Sequence, residues 1–442
     1  MTITIIGGGL AGSEAAWQLA IRGVPVRILE MKPIQYSPAH SSPLFGELVC
    51  SNSLRSAEIH TAPGLLKEEL RILDSLIIQA ADWARVPAGK ALAVDRGLFA
   101  EFITKKVSEH PLVTIEHREV TRVPGSEEGI TIIASGPLTS DALAGDICRL
   151  LRADGLSFYD AIAPIVSAES LDGDKLFKAS RYDESEGDYL NAPMDESLYR
   201  AFVKEIVSAR KVDPYPFEQI PHFEGCLPVE VLASRGPETL AFGPMKPVGL
   251  KDPRTGERPY AVVQLRAENK EASMYNLVGF QTKMTYGEQE RIFRMIPGLE
   301  QAEFIRLGSV HRNTYLDAPR LLDAYSRART ASHVFFAGQI TGVEGYIEST
   351  ASGLAIALMA GLIRAGLAPD TPPTDTAVGG LLEHTRNCPL KRFEPMNVNF
   401  GIIDPAPKGC PKKLRKEAVA KRAISSIQQW KAHIDELWGF VG

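Results

Sequence analysis

Two cysteines stand in settings where a thiol acts as nucleophile or base. Cys50 lies in Glu47-Leu48-Val49-Cys50-Ser51-Asn52-Ser53-Leu54-Arg55. Cys226 lies in Phe223-Glu224-Gly225-Cys226-Leu227-Pro228-Val229-Glu230, where glycine and proline bracket a loop able to present the sulfur. Cysteine is also commonly an inert buried residue, so on position alone both readings stand for each. Cys148 falls in an amphipathic run and reads as structural, and Cys388 and Cys410 sit in irregular stretches with no evident role. No Cys-x-x-Cys pair occurs, so neither a zinc site nor a disulfide framework is indicated and no metal is expected. Cys50 also lacks the close second cysteine of a dithiol flavoenzyme, which disfavours disulfide reductase chemistry.

A thiol needs elements to position it beside a reaction partner, and the amino-terminal run supplies them. Thr2-Ile3-Thr4-Ile5-Ile6 passes into Gly7-Gly8-Gly9-Leu10-Ala11-Gly12 and then Ser13-Glu14-Ala15-Ala16-Trp17-Gln18-Leu19, which reads as strand, glycine turn and helix. Gly7 makes the tight turn, Gly9 lets a pyrophosphate approach the backbone, and Gly12 brings helix against strand. The helix N-terminus then faces the phosphates. A β-rich run, Val24 to Leu29, ends on Glu30 at the spacing of a ribose ligand. Late in the chain Val334-Phe335-Phe336-Ala337-Gly338 leads into Gly342, Gly345 and an Ala-rich helix from about Glu348 to Ala365. A second helix N-terminus is thereby brought to the same ligand, which argues for flavin adenine dinucleotide (FAD) over a nicotinamide dinucleotide. NAD(P)H remains a candidate transient reductant.

Between these motifs lie helices predicted at Leu65–Leu73 and Asp95–Glu109 and β-like runs at Val113–Glu116, Glu119–Val123 and Ile130–Ile133. From about Ser167 to Gly298 acidic runs and prolines replace this rhythm. The expected architecture is α/β: a Rossmann-like, glutathione-reductase-type FAD domain made of 1–166 and 299–442, with an inserted α+β domain at 167–298 on the substrate side. A chain of 442 residues with 44% hydrophobic and 23% charged residues matches ordinary globular composition. Its formal charge of −5 excludes a global basic field, so any nucleic-acid surface must be local. One candidate is the segment holding Lys408, Lys412, Lys413, Arg415, Lys416, Lys421 and Arg422, with a solvated basic helix as the alternative. The apolar segment from Gly353 to Gly366 contains Arg364 and is shorter than the ~20 residues of a bilayer crossing, so no membrane span is expected. No secretory signal fits, and a cytoplasmic location is expected.

Several segments resemble the folate- and FAD-dependent tRNA (uracil-5-)-methyltransferases, the TrmFO family, relatives of the larger GidA flavoproteins. They are the Cys226 segment itself, Phe242-Gly243-Pro244-Met245-Lys246-Pro247-Val248-Gly249-Leu250, Tyr275-Asn276-Leu277-Val278-Gly279-Phe280-Gln281-Thr282 and His311-Arg312-Asn313-Thr314. The resemblance implies methylation of the T-loop uridine of tRNA, with 5,10-methylenetetrahydrofolate giving the carbon and FAD, reduced by NAD(P)H, giving the electrons. It raises both Cys50 and Cys226 to site residues, Cys226 adding to uracil carbon 6 and Cys50 serving as the base. Gly7, Gly8, Gly9, Leu10, Ala11 and Gly12 are expected at the pyrophosphate, Glu30 at ribose and the Val120 backbone at adenine. Gly338, Gln339 and Ile340 are expected at the ribityl and flavin end. Lys246 and Arg266, beside family motifs, are candidates for tRNA phosphates. No stable protein partner is inferred. The rivals are a GidA-like enzyme of the wobble uridine, a catalytically silent flavin- and tRNA-binding protein, and a general FAD oxidoreductase.

Overall fold

The computed structural model describes residues 2–153, 158–161, 163–181, 187–212, 227–269, 271–308, 310–388, 393 and 395–439. Short β-branched runs build the first sheet: β1 (Ile3–Ile6), β2 (Val26–Glu30), β6 (Val113–His117), β7 (Thr131–Ile133) and β16 (Val334–Phe336). Their order is β16-β7-β1-β2-β6 and every neighbouring pair is parallel. Side chains alternate between two cores. Ile5, Ile28 and Phe335 face one with α1 (Leu10–Ala20), α4 (Arg96–Ser108) and α11 (Tyr346–Arg364). Ile6, Leu29, Ile133 and Phe336 face the other with α5 (Asp141–Leu151). A parallel sheet covered on both faces requires such apolar strands. The order reverses at β1, and in open parallel sheets the crevice beyond that point receives the ligand.

α11 is longer than the apolar segment expected for it. At 19 residues it has the length and composition of a membrane span, yet 89% of that window is buried, and it is the central core helix. The run Glu119–Val123, expected to be β-like, forms no strand. Its Val123 N–H donates to Asp146 Oδ2 at 2.7 Å, so this bond goes to a helix side chain instead of a neighbouring strand.

Around this core the small sheet β3 (Ser53–Ser56), β5 (Ala91–Val94) and β4 (Arg85–Val86) joins α2 (Ala62–Ile72), α3 (Leu76–Trp83), α10 (Ala318–Leu321), α12 (Ala377–Asn387) and α13 (Arg415–Gly439). Buried carboxylates tie the helices together. Glu14 of α1 accepts from the Ile77 N–H at 3.0 Å in the first turn of α3. Glu69 of α2 accepts from Ala377 and Val378 at 2.7 and 2.8 Å, capping α12. Along α13 the stripe Val419, Ala423, Ile427, Trp430, Ile434 and Trp438 recurs at helical spacing and enters the same core.

The second sheet is antiparallel: β10 (Phe177–Lys178), β11 (Tyr189–Met194), β12 (Ala261–Ala267), β13 (Met274–Leu277), β9 (Ile165–Ser167) and β14 (Phe304–Arg306), in that order. With α6 (Glu196–Ser208), α7 (Val229–Ser234), α8 (Thr239–Phe242) and α9 (Tyr286–Phe293) it encloses a core around Tyr199, Phe202, Phe280 and Phe293. The sheet takes in strands on either side of 167–298, because its closing edge, β9 and β14, is built from the outgoing and returning chain. The ribbon β8 (Phe158–Ala161) with β15 (Val310–Asn313) runs alongside that passage.

Candidate functional site: a dinucleotide cleft beside a thiol

The glycine turn occupies the reversal point at β1. Gly7 has φ +102°, and a Cβ there would lie 2.7 Å from the Ala134 carbonyl oxygen. At Gly12 a Cβ would lie 1.9 Å from the Gly7 oxygen, and at Gly8 it would meet the Phe45 ring at 2.9 Å. Gly9 differs, since no protein atom lies within 4 Å of its Cβ position. Protein packing has no need of glycine there, whereas close approach of a pyrophosphate does. Gly9 caps α1 without a side-chain hydrogen bond, leaving first-turn N–H groups such as those of Leu10 and Ala11 ready for an anion.

Glu30 ends β2 and is only 6% exposed. Its Oε2 accepts from the Gly8 N–H at 2.6 Å and its Oε1 from the Lys32 N–H at 2.9 Å. Each oxygen keeps a lone pair for a ribose hydroxyl. The cleft is lined by Gly7, Gly9, Glu30, Val120, Ser135 and Leu143, which brings the expected adenosine-side residues together. His40 also lines it, and burial, reinforced by the charge of Lys32, holds its imidazole below the usual histidine range.

The late glycine motif closes on the same place. Gly338 has φ +81°, its Cβ position is 2.7 Å from Ala11 Cβ, and its N–H donates to Ser352 Oγ at 3.0 Å. Gly353 of α11 would place a Cβ 2.3 Å from the Ala11 oxygen. Both contacts seat the late loop on the first turn of α1. Gln339 Nε2 donates to both Glu344 oxygens, at 3.0 and 2.9 Å. Ile340, expected at the flavin end, is instead fully buried, and its carbonyl accepts from the Leu316 N–H at 2.8 Å, so it packs the loop from beneath. α11 starts after Gly345, φ +119°, again without a side-chain cap.

Cys50 sits between the core of the parallel sheet and the antiparallel sheet. Its N–H donates to the Tyr346 hydroxyl at 2.7 Å, and the Ser51 N–H donates to the same oxygen at 3.2 Å. Its carbonyl accepts from Arg96 at 3.0 Å and from Arg306 at 3.2 Å. Arg266 of β12 donates to Asn52 Oδ1 and Ser51 Oγ, each at 2.7 Å, and Asn52 Nδ2 donates to the Ala267 carbonyl at 2.8 Å. Arg96 also bonds Glu268 and the Leu48 carbonyl. Burial depresses Arg266 and Arg306; at Arg96 burial is again the largest single effect, but the charge and hydrogen bond of Glu268, with Tyr346 and Cys50, together outweigh it and keep the guanidinium above its ordinary value. The charge of Cys50 acts to raise all three guanidiniums, so three cations surround the loop that carries this thiol. Burial, reinforced by Cys50, pushes the Tyr346 phenol far above its ordinary value, so this hydroxyl stays neutral as an acceptor. These partners lie 46, 256 and 296 residues from Cys50 for Arg96, Arg306 and Tyr346, so no local spacing announces them.

A family model described as glucose inhibited division protein A matches residues 2–367. A protein of Citrifermentans bemidjiense named methylenetetrahydrofolate–tRNA-(uracil-5-)-methyltransferase TrmFO is 57% identical over 97% of this chain and 98% of its own length. One of the same name from Geobacter sulfurreducens is 55% identical over 98% of this chain and 99% of its own. The chain belongs to the TrmFO family. The solved GidA of Aquifex aeolicus, in its form II crystal, superposes with a TM-score of 0.69 at 16% identity over 100% of this chain and 75% of GidA, a likeness of fold. TrmFO enzymes are folate-dependent flavoproteins, and this chain's residues fit FAD: an open flank at Gly9, a buried carboxylate at Glu30 lining the cleft, and the uncapped start of α1 with the late glycine loop packed against its Ala11.

The remaining residues of this TrmFO chain fall into place unevenly. Cys226 lies outside the described residues, as do its neighbours 213–225. Arg266, expected at tRNA phosphates, is instead 5% exposed and spent on the Cys50 loop, because strand alternation points it into the domain interface. Lys246 is half-buried near the surface, and Lys408, Lys412, Lys413, Arg415 and Lys416 are exposed. Arg422 is tied to Asp375 at 3.3 Å and to the Pro405 carbonyl at 2.8 Å, which takes it out of the basic patch. Cys148 packs beside the α5 core, as a structural cysteine would.

Proposed function

We propose that this chain methylates carbon 5 of the T-loop uridine of tRNA, taking the carbon from 5,10-methylenetetrahydrofolate. FAD, reduced by NAD(P)H, supplies the two electrons that take a methylene to a methyl. What carries the reading is the Cys50 loop, held between the FAD cleft and the second sheet by Arg96, Arg266, Arg306 and Tyr346. Uracil carbon 5 is a poor nucleophile until something adds at carbon 6. The Cys226 thiolate forms a bond to carbon 6, carbon 5 then bonds the one-carbon unit, and the carbon 5 proton leaves to the Cys50 thiolate. Loss of that proton expels the tetrahydrofolate nitrogen from the one-carbon unit and leaves an exocyclic methylene. The two electrons, as a hydride equivalent, take it to methyl, and the resulting enolate expels the Cys226 thiolate and restores the ring. The proton acceptor in this scheme is the Cys50 thiolate, and the arginines around its loop supply the positive surroundings in which a thiolate serves as base. The FAD side is 1–166 with 299–442, and 167–298 forms the tRNA side.

The test uses holoenzyme, labelled methylenetetrahydrofolate, NAD(P)H and unmodified tRNA carrying tritium at uridine carbon 5. Label at the T-loop uridine with matched tritium release is expected. Cys226→Ala should abolish both, and Cys50→Ala should leave tRNA binding intact while stopping tritium release. Label at the wobble uridine, or undiminished methylation by Cys226→Ala, would overturn the scheme.

A further inference from the structure

Phe242 is 82% exposed, the highest exposure of any large apolar side chain among the described residues. Nothing about its turn is loose. Its N–H donates to the Glu238 carbonyl at 3.1 Å, and the fully buried Leu240 and Met245 anchor the chain on either side. The Met245 carbonyl accepts from the β12 residue Val262 at 3.0 Å. Pro244 packs against Gly279, φ +80°, where an added Cβ would stand 2.7 Å away. A rigid turn therefore holds an aromatic ring out into water, which burial energetics alone opposes.

The segment that follows the ring is cationic, while Glu238 at the start of the turn is paired with Arg200 at 3.2 Å. Lys246 follows the turn, and no carboxylate lies within ion-pair reach of Lys246 among the described residues. Arg181 donates to the Lys246 carbonyl at 2.6 Å, which brings a second cation alongside. Lys251, further along the run, is exposed. An outward ring with cations beside it is the arrangement that binds single-stranded nucleic acid, the ring stacking on a base while the cations meet phosphates. An enzyme acting on carbon 5 of a uracil must take bases out of their stack, and an extruded or newly exposed base needs a surface to replace its neighbour. We infer that Phe242 is a stacking platform for a nucleobase of the tRNA, with Lys246 contacting the adjoining phosphate. This rests on tRNA being the substrate and deepens that reading by naming a contact.

The experiment compares Phe242→Ala, Phe242→Tyr and Phe242→Trp holoenzymes with the parent, with bound FAD as the check on folding. Direct tRNA binding and the KM values for tRNA and for methylenetetrahydrofolate are measured. Phe242→Ala should weaken tRNA binding and raise KM for tRNA about tenfold or more. Its FAD content and KM for the folate should stay as in the parent, and the Tyr and Trp variants should restore tRNA binding. A parent-like Kd for tRNA in Phe242→Ala would overturn the inference. So would equal damage in Phe242→Trp and Phe242→Ala, or a defect confined to the folate KM. A parent that binds tRNA without methylating it would fail the functional reading instead, and the binding comparison would still judge Phe242.

Discussion

A methyl group at Gly9 would meet no protein atom within 4 Å, whereas at Gly12 it would lie 1.9 Å from the Gly7 oxygen. The two glycines of one turn therefore answer to different constraints. Gly12→Ala should fail to accumulate as folded protein, since a backbone oxygen cannot yield by that much. Gly9→Ala should fold with apo stability within about 0.5 kcal/mol of the parent, as an unobstructed surface change does. Its FAD affinity should fall about tenfold or more, because the methyl group fills the approach of the pyrophosphate. Flavin absorbance per protein and melts of the apo forms check this, and full FAD retention by Gly9→Ala would remove the pyrophosphate from this position. Such roles are legible in sequence because a turn is local: Gly7, Gly9, Gly12 and Glu30 fall within one strand-helix-strand unit. The surroundings of Cys50 are not, since its cations and phenol come from four separate elements. The inward position of Arg266 escapes sequence reasoning for the same reason. Its basic type was visible, but the face of β12 it occupies depends on which element covers that face.

Elements are joined by buried polar groups whose partners no periodicity records, and Lys67 shows what this costs. It lies on α2 with no exposed surface, and its Nζ donates to the Ser56 carbonyl of β3 at 2.8 Å and to Pro63 at 3.1 Å. It thereby ties α2 to the strand that follows the Cys50 loop. Burial pulls its pKa from 10.5 to about 7, with Glu348 opposing the shift and Arg55 adding to it. Below pH 7 the lysine is charged in both folded and unfolded chains and its contribution is flat. Between pH 7 and 10.5 the unfolded chain binds more protons, so this residue's contribution to stability rises with pH. Unfolding free energies of the parent and of Lys67→Met should accordingly diverge in the parent's favour from pH 7 to 10. The difference is on the order of a few kcal/mol, added to a pH-independent loss from the two abandoned carbonyls. A difference independent of pH would mean that Lys67 keeps its proton throughout. The leucine spacing found helix α2 itself, but gave no sign of a buried ammonium on it.

At the scale of the molecule the net charge of −5 must coexist with a polyanionic substrate, so attraction has to be local. α13 resolves this by division along its length. Its later turns carry the apolar stripe into the core, while its first turn and the preceding segment expose Lys408, Lys412, Lys413, Arg415 and Lys416. The fold thus fixes a basic cluster at the edge of the FAD domain, and Arg422 marks where it gives way to structural pairing with Asp375. If Lys412 and Lys413 each neutralise one tRNA phosphate, replacing both by Gln removes two released counterions. The slope of log affinity against log salt should then become shallower by roughly 1.4 to 1.8. Affinity at low salt should fall while FAD content and melting temperature hold, because neither lysine is buried. Titrations of parent and double variant over a range of potassium chloride concentrations measure this directly. An unchanged slope would assign the cluster to solvent and leave the second domain, with Lys246 and its neighbours, to carry the phosphate contacts alone.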